Sequence, residues 1–179
     1  MTIFFGTTNE GKLREARSVL DIEIEGTPLE VEEIQSLDPI KVATQKAFDY
    51  FAKLNKPVLI EDVSLTFHAL GQLPGTYIND FTKSLGNDGL IKLLGENRKA
   101  TVQTTLAFCQ NNTVEIFIGK TEGSISLKQM GTNGFGFDPI FIPAGQKKTY
   151  AQMTDQEKNK FSMRTIALSK LKLWLDKQK

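Results

Sequence analysis

The chain has 179 residues, 40% of them hydrophobic and 24% charged, an ordinary balance for a globular protein large enough to bury a core. Its 22 Lys/Arg against 21 Asp/Glu leave a formal charge of +1, which supplies no bulk field for nucleic acid, so any polyanion site must be local. The single cysteine, Cys109, excludes an internal disulfide and fits a reducing compartment, and no apolar run approaches the ~18 residues of a membrane span. The first residues read as a strand without the basic head of a signal peptide, so the expected location is cytoplasmic, with neither membrane nor nucleic acid as partner. No repeat, low-complexity tract or Pro/Gly/Ser linker divides residues 1–179, which are expected to form one domain.

Ile3-Phe4-Phe5 is a continuous apolar run, as expected of a strand buried on both faces. A loop and a helix with Leu13, Ala16 and Leu20 on one stripe follow. Leu29 and Val31 alternate with Glu30 and Glu32, predicting a second strand. Asp38 as N-cap and Pro39 in the first turn open a helix whose apolar stripe reads Ile40, Ala43, Ala47, Phe51 and Leu54. Val58-Leu59-Ile60 is another buried-strand run, delivering Glu61-Asp62 at its C-terminal end. Gly71 to Gly75, with Pro74, reads as a turn, and Asn87-Asp88 as the cap of a short helix through Leu94. Val102, Thr104, Leu106 and Phe108 alternate, Asn111-Asn112 turns the chain, and Val114, Ile116 and Ile118 return it as an antiparallel hairpin. Gly123 to Leu127 reads as a further strand, and Gly131 to Gly136 as a glycine-rich loop before Asp138-Pro139. Thr154-Asp155-Gln156-Glu157 matches a capping box and opens a helical tail with Phe161, Leu168, Leu171 and Leu175. Strand–helix alternation followed by a hairpin predicts an α/β chain with a mixed sheet.

Between the first strand and helix, Thr7-Thr8-Asn9-Glu10-Gly11-Lys12 sets backbone N–H groups and a helix N-terminus at one point. Such a terminus carries partial positive charge and unpaired donors, which favour phosphate. Thr7 and Asn9 add side-chain donors and Lys12 a mobile ammonium. The loop is neither a Walker loop nor a dinucleotide fingerprint, and on local pattern it reads equally as an ordinary turn with a surface lysine. Asp62 lies where an open α/β sheet places its ligands, at the carboxyl end of a strand. Glu33 follows the strand predicted at Leu29–Glu32 and can reach the same end. Magnesium takes one or two protein carboxylates and completes its shell with water and phosphate, which suits such a pair. Taken alone, Glu33 also reads as one solvated acid among Glu30 and Glu32.

Phe135, between glycines, is suited to offering a ring face to a base; the plainer reading is that Phe135 and Phe137 plug the loop onto the core. Lys158 and Ser162 share a helix face, whereas Arg164 points about 120° away from Lys158 on a continuous helix. If all serve one ligand, the helix must break near Phe161, and Ser162 can then cap a second helix. Otherwise the segment is one long amphipathic helix with solvated Lys158 and Arg164. His68, the only histidine, lacks a Ser/Asp partner pattern and reads as structural, as Cys109 reads as a core thiol.

Together these segments resemble the inosine triphosphate pyrophosphatase family. The resemblance is carried in order by Thr7 to Lys12, Glu33-Ile34-Gln35, Ile60-Glu61-Asp62, Ala69 to Gly75, Gly134 to Pro139 and Glu157-Lys158-Asn159. Ordered agreement from end to end is far more specific than any one of these motifs. It implies an elongated two-lobed α/β fold with a central mixed β-sheet flanked by helices, a substrate cleft between the lobes, and a homodimer. It also implies the reaction: water attacks the α-phosphate of ITP, dITP or XTP, releasing the monophosphate and pyrophosphate and so clearing such purines from the nucleotide pool. By position, Thr7, Thr8, Asn9, Glu10, Gly11, Lys12 and Lys46 would hold the triphosphate. Glu33 and Asp62 would bind Mg²⁺, with Asp62 the base for the water. Phe135 would stack on the purine within a substrate-binding set that includes Gly136, Phe137, Asp138, Lys158, Met163 and Arg164.

Two departures stand out. The family usually carries Ser-His-Arg where this chain reads Ser162-Met163-Arg164, which removes a histidine donor. It also usually places Ser or Thr after the catalytic Asp, where Val63 stands here. The competing readings are therefore a pyrophosphatase for pyrimidine or modified nucleotides, and a nucleotide-binding module without turnover.

Overall fold

The computed structural model describes residues 2–178. The elements in chain order are β1 (Thr2–Phe5), α1 (Glu10–Val19), β2 (Glu23–Gly26), α2 (Pro39–Leu54), β3 (Val58–Phe67), β4 (Pro74–Gly75) and α3 (Ile78–Lys92). There follow β5 (Lys99–Gln110), β6 (Thr113–Ile125), β7 (Phe141–Pro143), α4 (Asp155–Asn159) and α5 (Met163–Asp176). The strands form a seven-stranded sheet in the order β2-β1-β3-β5-β6-β7, with β4 added to β3. β1 runs parallel to β2 and β3, whereas β4 is antiparallel to β3 and β7 to β6. This is the expected mixed α/β architecture, a sheet flanked by helices.

By internal contacts the chain divides into two compact units: Met1–Asp62, Thr104–Gly119 and Arg164–Lys179 in the first, Val63–Gln103 and Lys120–Met163 in the second. In the first unit, strand alternation sorts side chains into two layers. Ile3, Phe5, Leu59, Leu106 and Phe108 pack with Leu13 and Ala16 of α1 and Ala167, Leu168 and Leu171 of α5. Their neighbours Val58, Ile60, Ala107 and Cys109 turn the other way, onto Ala43, Ala47 and Tyr50 of α2. Cys109 is fully buried, as read from its alternating strand. The second unit has one core, in which Leu65, Phe67, Val102, Ile125 and Phe141 meet Ile78 and Leu90 of α3, with Tyr150 and Met153.

Local signals account for the element ends. Asp38 accepts from the N–H groups of Ile40 and Lys41, and Pro39 occupies the first turn of α2. Asn111 and Asn112 adopt φ of 52° and 58°, the left-handed pair that a two-residue hairpin between β5 and β6 requires.

The structure corrects several expectations. The second strand is Glu23–Gly26, paired with β1, not Leu29–Glu32, which is irregular. Both segments alternate, but only Ile24 finds a place in the core beside β1. Leu29 and Val31 pack against α2 instead, and the Tyr50 hydroxyl accepts from Leu29 N–H and donates to Leu29 C=O. The fully buried residues of α2 are Val42, Ala43, Ala47 and Tyr50, with Phe51 and Leu54 of the expected stripe partly buried beside them and Ile40 41% exposed. Residues 123–125 extend β6 rather than opening a new strand. α3 begins before the expected cap at Asn87-Asp88 and kinks at Gly86, whose φ of 63° and ψ of 175° lie outside the helical range. The C-terminal tail breaks into α4 and α5, with Lys160 to Ser162 between them, which removes the single-helix reading.

Candidate active site

β1 delivers the chain to α1 through Gly6 to Asn9. The turn is self-bonded: Thr7 N–H donates to Phe5 C=O, Asn9 N–H to Thr7 Oγ1 at 3.1 Å, and Lys12 N–H to Asn9 Oδ1 at 3.1 Å. Asn9 is thus the N-cap of α1, so the oxygens of Thr7 and Asn9 serve the turn as acceptors. Thr8 and Glu10 are exposed at the helix opening and Gly11 is half-buried beside them.

β3 runs on to Phe67, so Glu61 and Asp62 lie within the strand rather than at its carboxyl end as expected, and the alternation places the two acids on opposite faces. Glu61 follows the register of Leu59 toward α1 and α5. Its Oε1 meets Lys12 Nζ at 3.0 Å and Arg164 NH2 at 3.1 Å, while Oε2 accepts Arg164 Nε at 2.6 Å. Arg164 NH1 donates to Glu15 Oε2 at 2.7 Å. Burial opposes ionisation of Glu61, yet Arg164 and Lys12 outweigh it and hold the carboxyl at about 2. Burial likewise disfavours the Arg164 cation, but Glu61 and Glu15 raise its pKa above the ordinary value.

Asp62 follows Ile60 toward α2. Burial, then the charge of Glu33, pushes its carboxyl from 3.8 to about 7, against the pull of Lys46 and Lys12. Glu33 Oε2 and Lys46 Nζ pair at 2.6 Å on a more exposed rim. Asp62 Oδ2 is buried without a hydrogen-bond partner. A buried carboxylate oxygen with nothing to accept is costly, and a cation beside it would remove that cost. A magnesium ion fits this donor set, because it needs only one or two protein carboxylates. Among the described residues no group of three or more His, Cys, Asp or Glu side chains could hold a metal, so a bound ion would rest on Asp62 and Glu33 with other oxygens.

The second unit assembles a different cluster. Lys158, at 4% exposure, pairs with Asp138 Oδ2 at 2.8 Å, and the same oxygen accepts Phe135 N–H at 2.8 Å. The ammonium lies 5.0 Å from the centre of the Phe135 ring and 5.5 Å from that of Tyr150. Gly134 is obligatory here: its φ is +74°, and a Cβ would collide with the Asp138 carboxylate. Asn87 Nδ2 braces the loop by donating to Gly136 C=O at 3.0 Å. Phe135 is half-buried, Gly136 is exposed, and Phe137 sits in the core edge-on to Phe141. Met163 is buried in that core at 2% exposure.

The structure therefore gathers Lys12, Glu33, Lys46, Asp62 and Arg164 in the first unit, and Phe135, Asp138 and Lys158 in the second. Sequence reading passed over Glu61, Glu15 and Tyr150 as functional candidates. A charged residue directly after the apolar run Val58–Ile60 was the available signal for Glu61. His68, read as structural, bonds through Nε2 to Thr101 Oγ1 at 2.8 Å and lies 3.7 Å from Glu122.

Helix-terminal donors and lysines beside a buried carboxylate, on a mixed α/β fold, define a class suited to anionic phosphorylated ligands. Residues 3–174 match the Ham1 family. The chain belongs to that family. It is 40% identical over 178 residues to a dITP/XTP pyrophosphatase of Hyperthermus butylicus, covering 97% of this chain and 94% of the relative. It is 44% identical over 179 residues to an inosine triphosphate pyrophosphatase of Aspergillus fumigatus, covering 96% and 93%. The solved structure of a HAM1 protein from Coxiella burnetii aligns with a TM-score of 0.88 at 28% identity, over 99% of both chains.

Proposed function

We propose that this chain is a nucleoside triphosphate pyrophosphatase that converts ITP, dITP or XTP to the monophosphate and pyrophosphate. The observation that carries the reading is the half-buried Asp62 carboxyl, its Oδ2 buried and unpaired and its charge tuned by desolvation, then by Glu33, Lys46 and Lys12. In this reading the opening turn of α1, Thr7 to Lys12, and Lys46 neutralise and orient the triphosphate. Asp62 takes the proton of an incoming water as its oxygen bonds to the α-phosphorus. The bond from that phosphorus to the bridging oxygen breaks, and pyrophosphate leaves with the electron pair. A group with pKa near 7 suits such proton transfer. Held by Asp62 and Glu33, magnesium would offset the charge that builds on the pyrophosphate. Phe135 offers the face on which the base stacks, and Asp138 and Lys158 serve the base or sugar, whereas Arg164 is engaged by Glu61 and Glu15. A 6-keto purine presents an acceptor where adenine presents a donor, so donors left unpaired against adenine cost about 1–3 kcal/mol each.

The relatives' names favour a purine triphosphate as substrate. The single buried cysteine and the lack of a membrane-long apolar helix among the described residues support a cytoplasmic setting. A homodimer is the proposed assembly.

The test is a panel of ITP, dITP, XTP, ATP, dUTP and dTTP with Mg²⁺, followed by pyrophosphate release, and repeated with EDTA. Release from ITP, dITP or XTP well above the rest is expected. Release chiefly from dUTP or dTTP would overturn the purine assignment, binding without release would favour a binding module, and undiminished turnover in EDTA would remove the metal.

A further inference from the structure

We propose that Glu61 is a positioning residue that presents the Lys12 ammonium to the triphosphate, and that Arg164, braced by Glu15, makes this possible. The inference rests on the phosphate reading of the Thr7 to Lys12 turn. Lys12 carries its charge on a flexible four-carbon stem, which is a poor anchor unless something holds it. Here Glu61 Oε1 holds it at 3.0 Å, and the Glu61 side chain is only 1% exposed against 21% for Lys12. The lysine is thereby held at its ammonium while part of its side chain stays exposed.

A carboxylate on Lys12 would ordinarily compete with phosphate for that charge. Arg164 removes the competition, because it engages both Glu61 oxygens, through Nε on Oε2 at 2.6 Å and NH2 on Oε1 at 3.1 Å. Such two-point pairing is the strong form of carboxylate recognition. The charge of Glu61 is therefore largely met by Arg164, and Lys12 stays available to an anion. Arg164 NH1 in turn meets Glu15 at 2.7 Å. Glu15 lies three residues after Lys12, on the same face of α1. The helix that supplies the ammonium thus also steadies the arginine behind it. The four side chains sum to zero charge, which makes their burial affordable and leaves the incoming anion as the only unbalanced partner.

A double-mutant cycle on inorganic tripolyphosphate binding tests this with a ligand that has no base or sugar. Lys12→Met and Glu61→Gln are each expected to weaken binding about tenfold, the scale of one lost charge-assisted hydrogen bond. In the Lys12→Met background, Glu61→Gln should have almost no further effect, since it acts through Lys12. A merely structural role predicts independent losses that multiply, and that outcome overturns the proposal. If Lys12→Met binds tripolyphosphate as tightly as the native protein, the phosphate reading of the turn fails instead. Should Glu61→Gln fail to fold, Glu61→Asp keeps the charge but cannot reach both cations. It is expected to lose roughly threefold in tripolyphosphate affinity with native circular dichroism, and native affinity would overturn the proposal.

Discussion

Asp62 holds its proton in the folded state where an unfolded aspartate has already lost it, and this fixes the sign of its effect on stability. Its folded pKa of about 7 lies above the ordinary 3.8. The folded state therefore binds more protons across that window, and stability falls as pH rises from about 4 to 7. Asp62→Asn removes the penalty. In EDTA its melting temperature should exceed that of the native protein at pH 8 and match it near pH 4, with a gain on the order of 2 kcal/mol at the higher pH. Turnover of ITP should vanish in the same variant, and an active one would refute the role given to Asp62. Glu61 has the opposite sign: its carboxyl is held near 2, so its contribution is full above about 4.5 and is lost as pH falls toward 2. Lys158→Met leaves the buried Asp138 carboxylate without its cation, held only by the Phe135 N–H, which should cost about 3 kcal/mol in denaturant unfolding. An unchanged midpoint would show that the pair is not buried as described. Asp62 was picked out in the sequence because strand ends gather ligands, but β3 runs on to Phe67, so the acid was found for a reason the structure does not bear out. Glu61 was not, because a charged residue next to a catalytic candidate reveals its partners only when α1 and α5 are laid on the same strand face.

The helices opened by Asp38 and Thr154 were readable from their caps, whereas Asn87-Asp88, also read as a cap, lies inside α3. Thr154 accepts from Glu157 N–H at 3.2 Å and Glu157 returns a bond to Thr154 N–H at 2.8 Å, so the sequence pattern is a working capping box. Thr154→Ala should therefore lower stability by about 1 kcal/mol, measured as a shift in the urea midpoint at unchanged slope. A loss near zero would mean that α4 does not depend on its cap. The break between α4 and α5 was legible only as a condition, since Lys158 and Arg164 cannot serve one ligand from a continuous helix. β2 shows the limit of such reading. Glu23–Gly26 and Leu29–Glu32 carry the same alternation, and the choice between them fell to pairing with β1 and to the Tyr50 hydroxyl on Leu29.

At the scale of the whole molecule, each unit is built from separated stretches of chain. The core containing Ile3, Phe5 and Leu13 also needs Leu106, Phe108 and Phe117, and Ala167, Leu168 and Leu171 from the end of the chain. A fragment of residues 1–62 keeps only part of that core and should lack cooperative unfolding by circular dichroism. A cooperative, native-like fragment would contradict the long-range packing. For the proposed dimer, sedimentation equilibrium should give about twice the 20.0 kDa chain mass, and a monomer at micromolar concentration would remove it.

Caps and strand patterning determined the α/β class and most element positions, because each depends on nearest neighbours along the chain; Lys46 and the site roles of Glu33 and Lys158 came only from the ordered motifs. The ordered motifs from Thr7 to Asn159 carry the family by themselves. Only the tertiary structure decided that Glu61 and Asp62 face different helices, that Arg164 is held by the buried Glu61 and the part-buried Glu15, and that Met163 and Phe137 belong to a core. Those outcomes depend on which distant segments share a sheet face, and desolvation there sets the charge state of each group. Local pattern carries no record of either.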